Sequence, residues 1–233
     1  MSSIAERLSQ VRENIASAQI RSGVKKDVTI VAVTKTHAPQ TIIDIYDAGN
    51  IVIGESRVQE AAGKFPCLPT LPGLIKRMIG HLQTNKVNRA IELFDTIDAV
   101  DSVKLANRIA RRAQALGIEI PVLLEINTTD EPSKFGFSPD KIDEMLECCE
   151  IAGLAVQGLM TIGPLAGGEK AIRAAFTKVR TIKEELSCQL SEKTENLSVL
   201  SMGMSGDYKI AVEEGSTMVR LGTTLFGPRK EYP

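Results

Sequence analysis

The sequence has few of the residues that metal sites and disulfide frameworks require. It contains two histidines and four cysteines among 233 residues. No two cysteines have the two-residue spacing that is typical of zinc sites, and Cys148 and Cys149 are adjacent. We therefore expect no metal site and reduced thiols, as in a cytosolic protein.

An excess of one charge and long apolar runs are also absent. The 28 Lys and Arg residues nearly balance the 29 Asp and Glu residues, and the net charge is −1. Such a chain has no overall field that attracts nucleic acid or a membrane surface. No apolar run approaches membrane-spanning length, and residues 1–7 lack the apolar core of a signal peptide. We expect a cytoplasmic monomer with neither a nucleic-acid nor a membrane partner.

No linker divides the chain. A Pro- or Ser-rich stretch, a low-complexity tract and a break in composition are all missing. Hydrophobic residues make up 43% of the sequence, which is enough for a sizeable core. The sequence therefore predicts one domain over residues 1–233.

Short apolar segments alternate with helical patterns along the chain. Apolar residues at helical spacing first predict an amphipathic helix near the N-terminus. The β-branched and apolar runs that follow predict eight strands, at residues 29–35, 51–55, 77–82, 96–100, 121–127, 155–161, 197–203 and 218–222. Helical patterns lie between them, at 39–48, 56–63, 84–92, 102–116, 139–151, 168–187 and 207–214. This order predicts a (β/α)8 barrel with an additional N-terminal helix, and an open doubly wound sheet is the alternative.

Lys35 ends the first predicted strand. A lysine in this position has an apolar stem, and burial disfavours its charged form. Because only the neutral amine attacks a carbonyl, the position suits a Schiff-base lysine. From this segment alone, a strand-end lysine that extends to water is the simpler interpretation.

The last two strands end in glycine-rich segments. In a barrel, functional groups gather at the carboxyl ends of the strands, and phosphate often binds after strands seven and eight. Ser205 and Gly206 follow the seventh strand, and Gly222 and Thr223 follow the eighth. They offer close backbone approach and hydroxyl donors, although two ordinary turns with Ser205 as a helix cap would look similar. Arg220, in an apolar context beside them, is a candidate ligand-binding cation or a structural ion-pair residue.

Motifs along nearly the whole chain resemble the pyridoxal 5′-phosphate (PLP) homeostasis protein family, which is related in fold to the N-terminal barrel of alanine racemase. The motifs are Val31-Ala32-Val33-Thr34-Lys35, Ile53-Gly54-Glu55-Ser56-Arg57-Val58-Gln59-Glu60, Ile79-Gly80-His81-Leu82-Gln83-Thr84-Asn85-Lys86, Ser133-Lys134-Phe135-Gly136-Phe137, Gly158-Leu159-Met160-Thr161, Ser201-Met202-Gly203-Met204-Ser205 and Val219-Arg220-Leu221-Gly222-Thr223.

The resemblance implies which residues bind the cofactor. Lys35 would form the Schiff base with PLP. Arg220 would lie near the cofactor and face its pyridine nitrogen. The phosphate-binding segments would contain Ser205, Gly206, Gly222 and Thr223. One position departs from the family pattern, because Ser56 stands where the family usually has asparagine. The amide contact near the cofactor is then not expected, and the shorter hydroxyl would reach the cofactor only through a water molecule.

The resemblance also implies a role in PLP homeostasis, namely buffering, carrying or delivering the cofactor, with PLP-dependent apoenzymes as recipients. The alternative is a PLP-dependent amino-acid racemase. An arginine at the pyridine nitrogen cannot accept its proton and so weakens the ring as an electron sink. Racemisation also needs acid–base groups on both faces of the substrate, whereas Tyr46 falls in a predicted helix and Tyr232 in the tail. The chain ends six residues after Gly227, so we expect no second domain of the kind that completes the site in the racemases. These features favour the non-catalytic role.

Overall fold

The computed structural model describes residues 2–129, 135–164, 166–190 and 197–228. Ser133 and Lys134 of the fourth motif, and Tyr232, lie outside the described residues.

Eight parallel strands close into one barrel in chain order, and the first strand pairs with the last. The predicted (β/α)8 barrel is therefore confirmed, and the open sheet is excluded. The strands are β1 (Thr29–Val33), β2 (Val52–Glu55), β3 (Ile75–Met78), β4 (Thr96–Val100), β5 (Ile120–Ile126), β6 (Leu154–Thr161), β7 (Val199–Ser201) and β8 (Met218–Leu221).

Helices alternate with the strands, and one helix precedes them as predicted. They are α1 (Ile4–Ser22), α2 (Pro39–Asp47), α3 (Val58–Lys64), α4 (Val87–Leu93), α5 (Val103–Leu116), α6 (Ile142–Glu150), α7 (Gly168–Gln189), α8 (Tyr208–Glu213) and α9 (Thr223–Phe226). Short 3₁₀ turns extend α3 (Phe65–Cys67) and precede α4 (Thr84–Lys86). None of the helices in the described part of the chain is long and apolar enough to cross a lipid bilayer.

Two helices show how local contacts set their ends. The Ser102 hydroxyl accepts the Leu105 N–H and caps α5, and Gly117 ends that helix in the left-handed conformation (φ 65°). The helix predicted over residues 139–151 starts later than predicted. Lys141 N donates to Ser138 O at 3.0 Å, so a turn comes first and α6 starts at Ile142.

The core has an apolar layer inside the barrel and a larger apolar shell between the strands and the helices. The interior layer consists of six residues from six strands: Val31, Val52, Ala99, Leu123, Met160 and Met218. Polar groups are also buried within the sheet. Arg77 on β3 and Asp98 on β4 form a bidentate ion pair, with Nε–Oδ2 and Nη2–Oδ1 distances of 2.7 and 3.0 Å.

The extra helix α1 packs beside α8, which follows the first predicted phosphate segment, and beside α9, which begins within the second. Its buried face contains Leu8, Val11, Ile15 and Ala18. Polar contacts fix its position further: Arg7 Nε donates to the Leu225 carbonyl at 2.5 Å, and Asn14 Nδ2 donates to the Tyr208 hydroxyl at 2.9 Å. The helix therefore supports the elements behind one side of the barrel mouth.

Candidate functional site

A cavity of about 270 Å³ opens at the carboxyl ends of the strands. Elements distant in sequence meet around it, namely the ends of β1, β7 and β8. All six residues predicted to bind a cofactor line this cavity: Lys35, Ser205, Gly206, Arg220, Gly222 and Thr223.

Lys35 lies in a tight turn directly after β1. His37 N donates to Thr34 O at 3.0 Å, which places Lys35 and Thr36 at the two central positions of the turn. Thr36 has a φ of +66°, as the second central residue of a type II turn requires. Thr34 is fully buried, whereas Lys35 is only partly covered. The turn thus brings the lysine from the barrel wall into the cavity.

The two predicted phosphate segments contact each other. Thr224 N donates to Ser205 Oγ at 3.2 Å, which leaves the Ser205 hydroxyl hydrogen available to another acceptor. Within the part of the chain that the structure describes, the backbone N–H groups of Ser205, Gly206, Gly222 and Thr223 have no acceptor. Ser205 does not cap a helix, because α8 begins at Tyr208. The cavity wall therefore combines hydroxyl and backbone donors of the kind that bind a phosphate.

Asp207 fixes the loop that contains Ser205. Its Oδ1 accepts the Met204 N–H. Burial raises the pKa of this carboxyl, and the hydrogen bond from Met204 N and the charge of Arg220 oppose the shift. The Asp207 side chain thus holds the backbone of the loop to which it belongs.

Arg220 is held rigidly at the barrel mouth. Its Nη1 donates to Ser201 O at 2.7 Å and to Ser201 Oγ at 2.8 Å, and its Nη2 donates to Thr161 O at 2.7 Å. A guanidinium has five N–H donors, so two remain for a ligand after these three bonds to described residues. Burial lowers the pKa of Arg220, while Asp98, Glu125 and Asp207 raise it.

Glu125 is the most perturbed carboxyl near this arginine. It lies on β5, is only 7% exposed, and its Oε2 has no hydrogen-bond partner among the described residues. Burial raises the pKa of Glu125 to about 7; the charge of Arg220 lowers it and that of Asp101 raises it. Glu125 is therefore largely protonated below neutral pH, a property that the strand pattern alone gave no reason to expect.

The two histidines and the described tyrosines occupy different surroundings. His37 lines the cavity, with its ring centroid 4.9 Å from that of Phe226. His81 lies outside the cavity lining, where its Nδ1 pairs with Asp101 Oδ2 at 2.8 Å. Tyr46 donates its hydroxyl to Pro72 O at 2.8 Å, and Tyr208 is buried against α1. No tyrosine of the described chain lines the cavity.

Sequence reasoning did not identify the apolar wall of the cavity. The structure adds Val33, Ile79, Ile162 and Met204 to the lining, and it also places in the lining Ser56, the position that departs from the family pattern. The sequence did contain a signal for this wall, because side chains alternate between the two faces of a strand. Val33 precedes Lys35 by two residues and therefore faces the same side. The close packing of Ser56 depends on Gly80, where an added Cβ would lie 2.5 Å from Ser56 O.

Comparisons with known proteins identify relatives over nearly the full chain. The family described as "Alanine racemase, N-terminal domain" matches residues 7–230. The pyridoxal phosphate homeostasis protein of Aquifex aeolicus is 40% identical over 227 residues, which cover 97% of this chain and 98% of the relative. The corresponding protein of Escherichia coli K12 is 34% identical, with 98% of each chain covered.

Solved structures agree with this grouping. PipY of Synechococcus elongatus is 38% identical, with 96% of this chain and all of PipY covered, and the TM-score is 0.86 without PLP and 0.83 with PLP bound. An alanine racemase of Clostridium difficile is 19% identical, with a TM-score of 0.71. The match covers 97% of this chain and 57% of the racemase chain, and it shows a shared barrel fold.

Proposed function

We propose, from the premise that this chain belongs to the pyridoxal phosphate homeostasis protein family within the alanine racemase N-terminal domain family, that it binds PLP and takes part in the homeostasis of this cofactor. The proposal treats residues 1–233 as one cofactor-binding barrel. A single observation supports it most strongly: a lysine, a rigid arginine and two donor-rich segments line one cavity at the carboxyl end of the barrel.

The donor set of the cavity fits PLP on chemical grounds. The cofactor has an aldehyde, a phosphate and a pyridine nitrogen that accepts a hydrogen bond, and it supplies a reactive carbonyl when bound. Lys35 provides the amine, the segments around Ser205 and Thr223 provide the phosphate donors, and Arg220 provides N–H groups. Apolar residues such as Ile79 and Ile162 complete the wall.

Lys35 is the residue that we assign to the Schiff base. Its neutral amine attacks the aldehyde carbon, a C=N bond forms, and the carbonyl oxygen leaves as water. The turn after β1 keeps the amine in the cavity, whereas a freely rotating surface lysine would lose side-chain entropy on reaction.

Arg220 explains why binding need not lead to turnover. A guanidinium donates hydrogen bonds and accepts none, so a pyridine nitrogen that faces it stays unprotonated. Stabilisation of a substrate carbanion is then weak. The hydroxyls of Tyr46 and Tyr208 also bind Pro72 O and Asn14 Nδ2 outside the cavity. These observations favour a role in buffering, carrying or delivering PLP, with apoenzymes as the recipients, over amino-acid racemisation.

Two assays test this proposal. Titration of the wild-type protein with PLP should produce the visible absorbance of a Schiff base, whereas Lys35→Ala should lose that absorbance and keep part of its affinity through the phosphate contacts. Exchange of the Cα hydrogen of alanine for deuterium should be slow or undetectable with the wild-type protein. Rapid exchange would support the racemase alternative, and an unchanged spectrum in Lys35→Ala would reject Lys35 as the binding residue.

A further inference from the structure

A buried charged cluster lies directly against the turn that contains Lys35. Lys64, the last residue of α3, is only 6% exposed. Its Nζ donates to Glu55 Oε1 at 2.7 Å, to Glu60 Oε1 at 2.8 Å and to Thr34 O at 2.9 Å. The three donors of the amine thus have three acceptors.

The two carboxylates of this cluster contact the residues on either side of Lys35. Glu55 Oε1 accepts the Thr34 hydroxyl at 2.7 Å, and Glu60 Oε1 accepts the Thr36 N–H. Thr34 is therefore bound through both its carbonyl and its side chain, and Thr36 through its backbone N–H. The cluster holds the backbone immediately before and after Lys35.

Thr36 needs such support because its conformation is unfavourable. It is the one non-glycine residue with positive φ in the described ranges, at +66°. A β-branched residue rarely adopts this region, and glycine is the usual residue at this position of a type II turn. The strain persists only where surrounding contacts over-determine the conformation.

The negative charge of Glu60 suits its role as the acceptor of the Thr36 N–H. Burial alone would raise the pKa of Glu60, but the hydrogen bonds from Lys64 and from Thr36 N hold it below its usual value. The carboxylate is therefore anionic at neutral pH. If the cluster only stabilised the fold, apolar residues would serve as well, because buried ion pairs add little net stability.

We propose that Lys64 is a positioning residue, which acts through Glu60 and Thr34 to hold the strained turn and so directs the Lys35 amine toward the aldehyde of the cofactor. This inference rests on the proposed function of Lys35. Lys64 takes no part in the bond changes: Lys35 nitrogen forms the new C=N bond, and the carbonyl oxygen leaves as water.

The first test replaces Lys64 with methionine, which keeps most of the length of the side chain and removes its donors. Reduction with borohydride after timed exposure to PLP labels the reacted lysine, and labelling of Lys35 should slow by about tenfold or more. Binding of pyridoxine 5′-phosphate, which has no aldehyde, should stay within about twofold of the wild-type value, because the phosphate contacts are unchanged. In the ligand-free variant, amide exchange at Thr36 and His37 should accelerate.

The matched control is Lys76→Met. Lys76 is half-buried and lies with its Nζ 5.7 Å from the centre of the Phe65 ring, and among the described residues its amine forms no ion pair with the carboxylates of the cluster. Its replacement should leave both the labelling rate of Lys35 and the amide exchange at Thr36 unchanged.

A second substitution separates positioning from general stability. Glycine adopts positive φ without strain, so Thr36→Gly in the Lys64→Met background should restore most of the labelling rate. Thr36→Gly alone should label within about twofold of the wild-type rate. If Lys64→Met does not fold, Glu60→Gln gives the same test, because it weakens the acceptor of Thr36 N and keeps the Lys64–Glu55 pair.

The positioning role would be overturned by labelling of Lys35 at the wild-type rate in Lys64→Met, or by slow labelling that Thr36→Gly does not restore. Equal loss of pyridoxine 5′-phosphate binding would also overturn it, because the damage would then reach the whole cavity. If Lys35 of the wild-type protein is not labelled at all, the proposed function itself fails, which is a distinct outcome.

Discussion

The Thr223 hydroxyl offers the most selective test of the phosphate segments. Thr223→Val keeps the branched shape and the backbone N–H and removes one donor. A hydrogen bond to a charged group contributes about 1.5–3 kcal/mol, so the Kd for PLP should rise by about ten- to a hundredfold. The Kd for pyridoxal, which has no phosphate, should change little. Equilibrium titration of both ligands measures the difference.

Thr224→Val is the control for this experiment. Thr224 is adjacent in sequence, but it does not line the cavity, and its hydroxyl makes only a long 3.5 Å contact with Ser205 O. Its replacement should leave the Kd for PLP almost unchanged. Equal losses for PLP and pyridoxal in Thr223→Val would show that the hydroxyl does not bind the phosphate.

Glu125 should make the stability of the protein depend on pH. Its pKa is raised from 4.5 to about 7 by burial, so the folded state binds a proton that the unfolded state releases between these values. The stability that this group contributes is fully present below pH 4.5 and is lost as the pH rises through 7. Between pH 5 and pH 8, the free energy of unfolding of the wild type should therefore fall by about 2–3 kcal/mol relative to that of Glu125→Gln.

Urea denaturation of both proteins at the two pH values measures this change. Glu119→Gln is the control, because Glu119 precedes the same strand and is exposed. A difference between Glu125→Gln and the wild type that does not vary with pH would contradict the assignment of a raised pKa to Glu125.

The chemically distinctive residues of the site were predictable from the sequence, whereas their supports were not. Lys35 and Arg220 stand out as charged residues at the ends of apolar strands. Lys64 does not, because a lysine near the end of a helix is usually exposed. Its burial depends on acceptors from β2 and from the turn after β1, and such convergence has no local signal in the sequence.

At the scale of elements, α1 is the helix that the barrel plan does not require. Leu8 is 1% exposed and packs in an apolar cluster with Tyr208 and Leu225 of α8 and α9. Leu8→Ala should destabilise the protein by about 2–5 kcal/mol, through lost burial and the cavity left behind. Chemical denaturation gives this value from the shift of the midpoint.

Ile20→Ala is the matched control on the same helix, because Ile20 is 83% exposed. Its replacement should change the free energy of unfolding by less than about 0.5 kcal/mol. If both variants lose the same stability, α1 does not contribute through the packing of its buried face.

The elements were predicted more reliably than their ends. All eight predicted strands and the helices between them occur in the predicted order, but their bounds differ: β3 spans Ile75–Met78 where residues 77–82 were predicted, and β7 has three residues instead of the predicted seven. The sequence predicted no helix after the last strand, where the structure has the four-residue helix α9, because Gly222-Thr223-Thr224 has the composition of a turn. Tertiary contacts with α1 support this short helix, and local propensity alone does not predict it.

At the scale of the whole molecule, closure of the barrel creates the site. The pairing of β1 with β8 brings Val31 into register with Arg220, so that residues about 190 positions apart are neighbours. The alternation of strands and helices favoured this closure and left an open doubly wound sheet as the alternative. Given the barrel, it placed Lys35 and the two phosphate segments at the same end, although it could not give the cavity volume or the contacts of Arg220.

The most direct test of the account is to identify the residue that binds PLP. The wild-type protein is incubated with PLP and reduced with borohydride, and its peptides are analysed by mass spectrometry, with Lys35→Ala treated in parallel. We expect one major phosphopyridoxyl adduct, on Lys35, and no comparable adduct in the variant. A major adduct on any other lysine, or none in a protein that retains its fold, would contradict the assignment of Lys35.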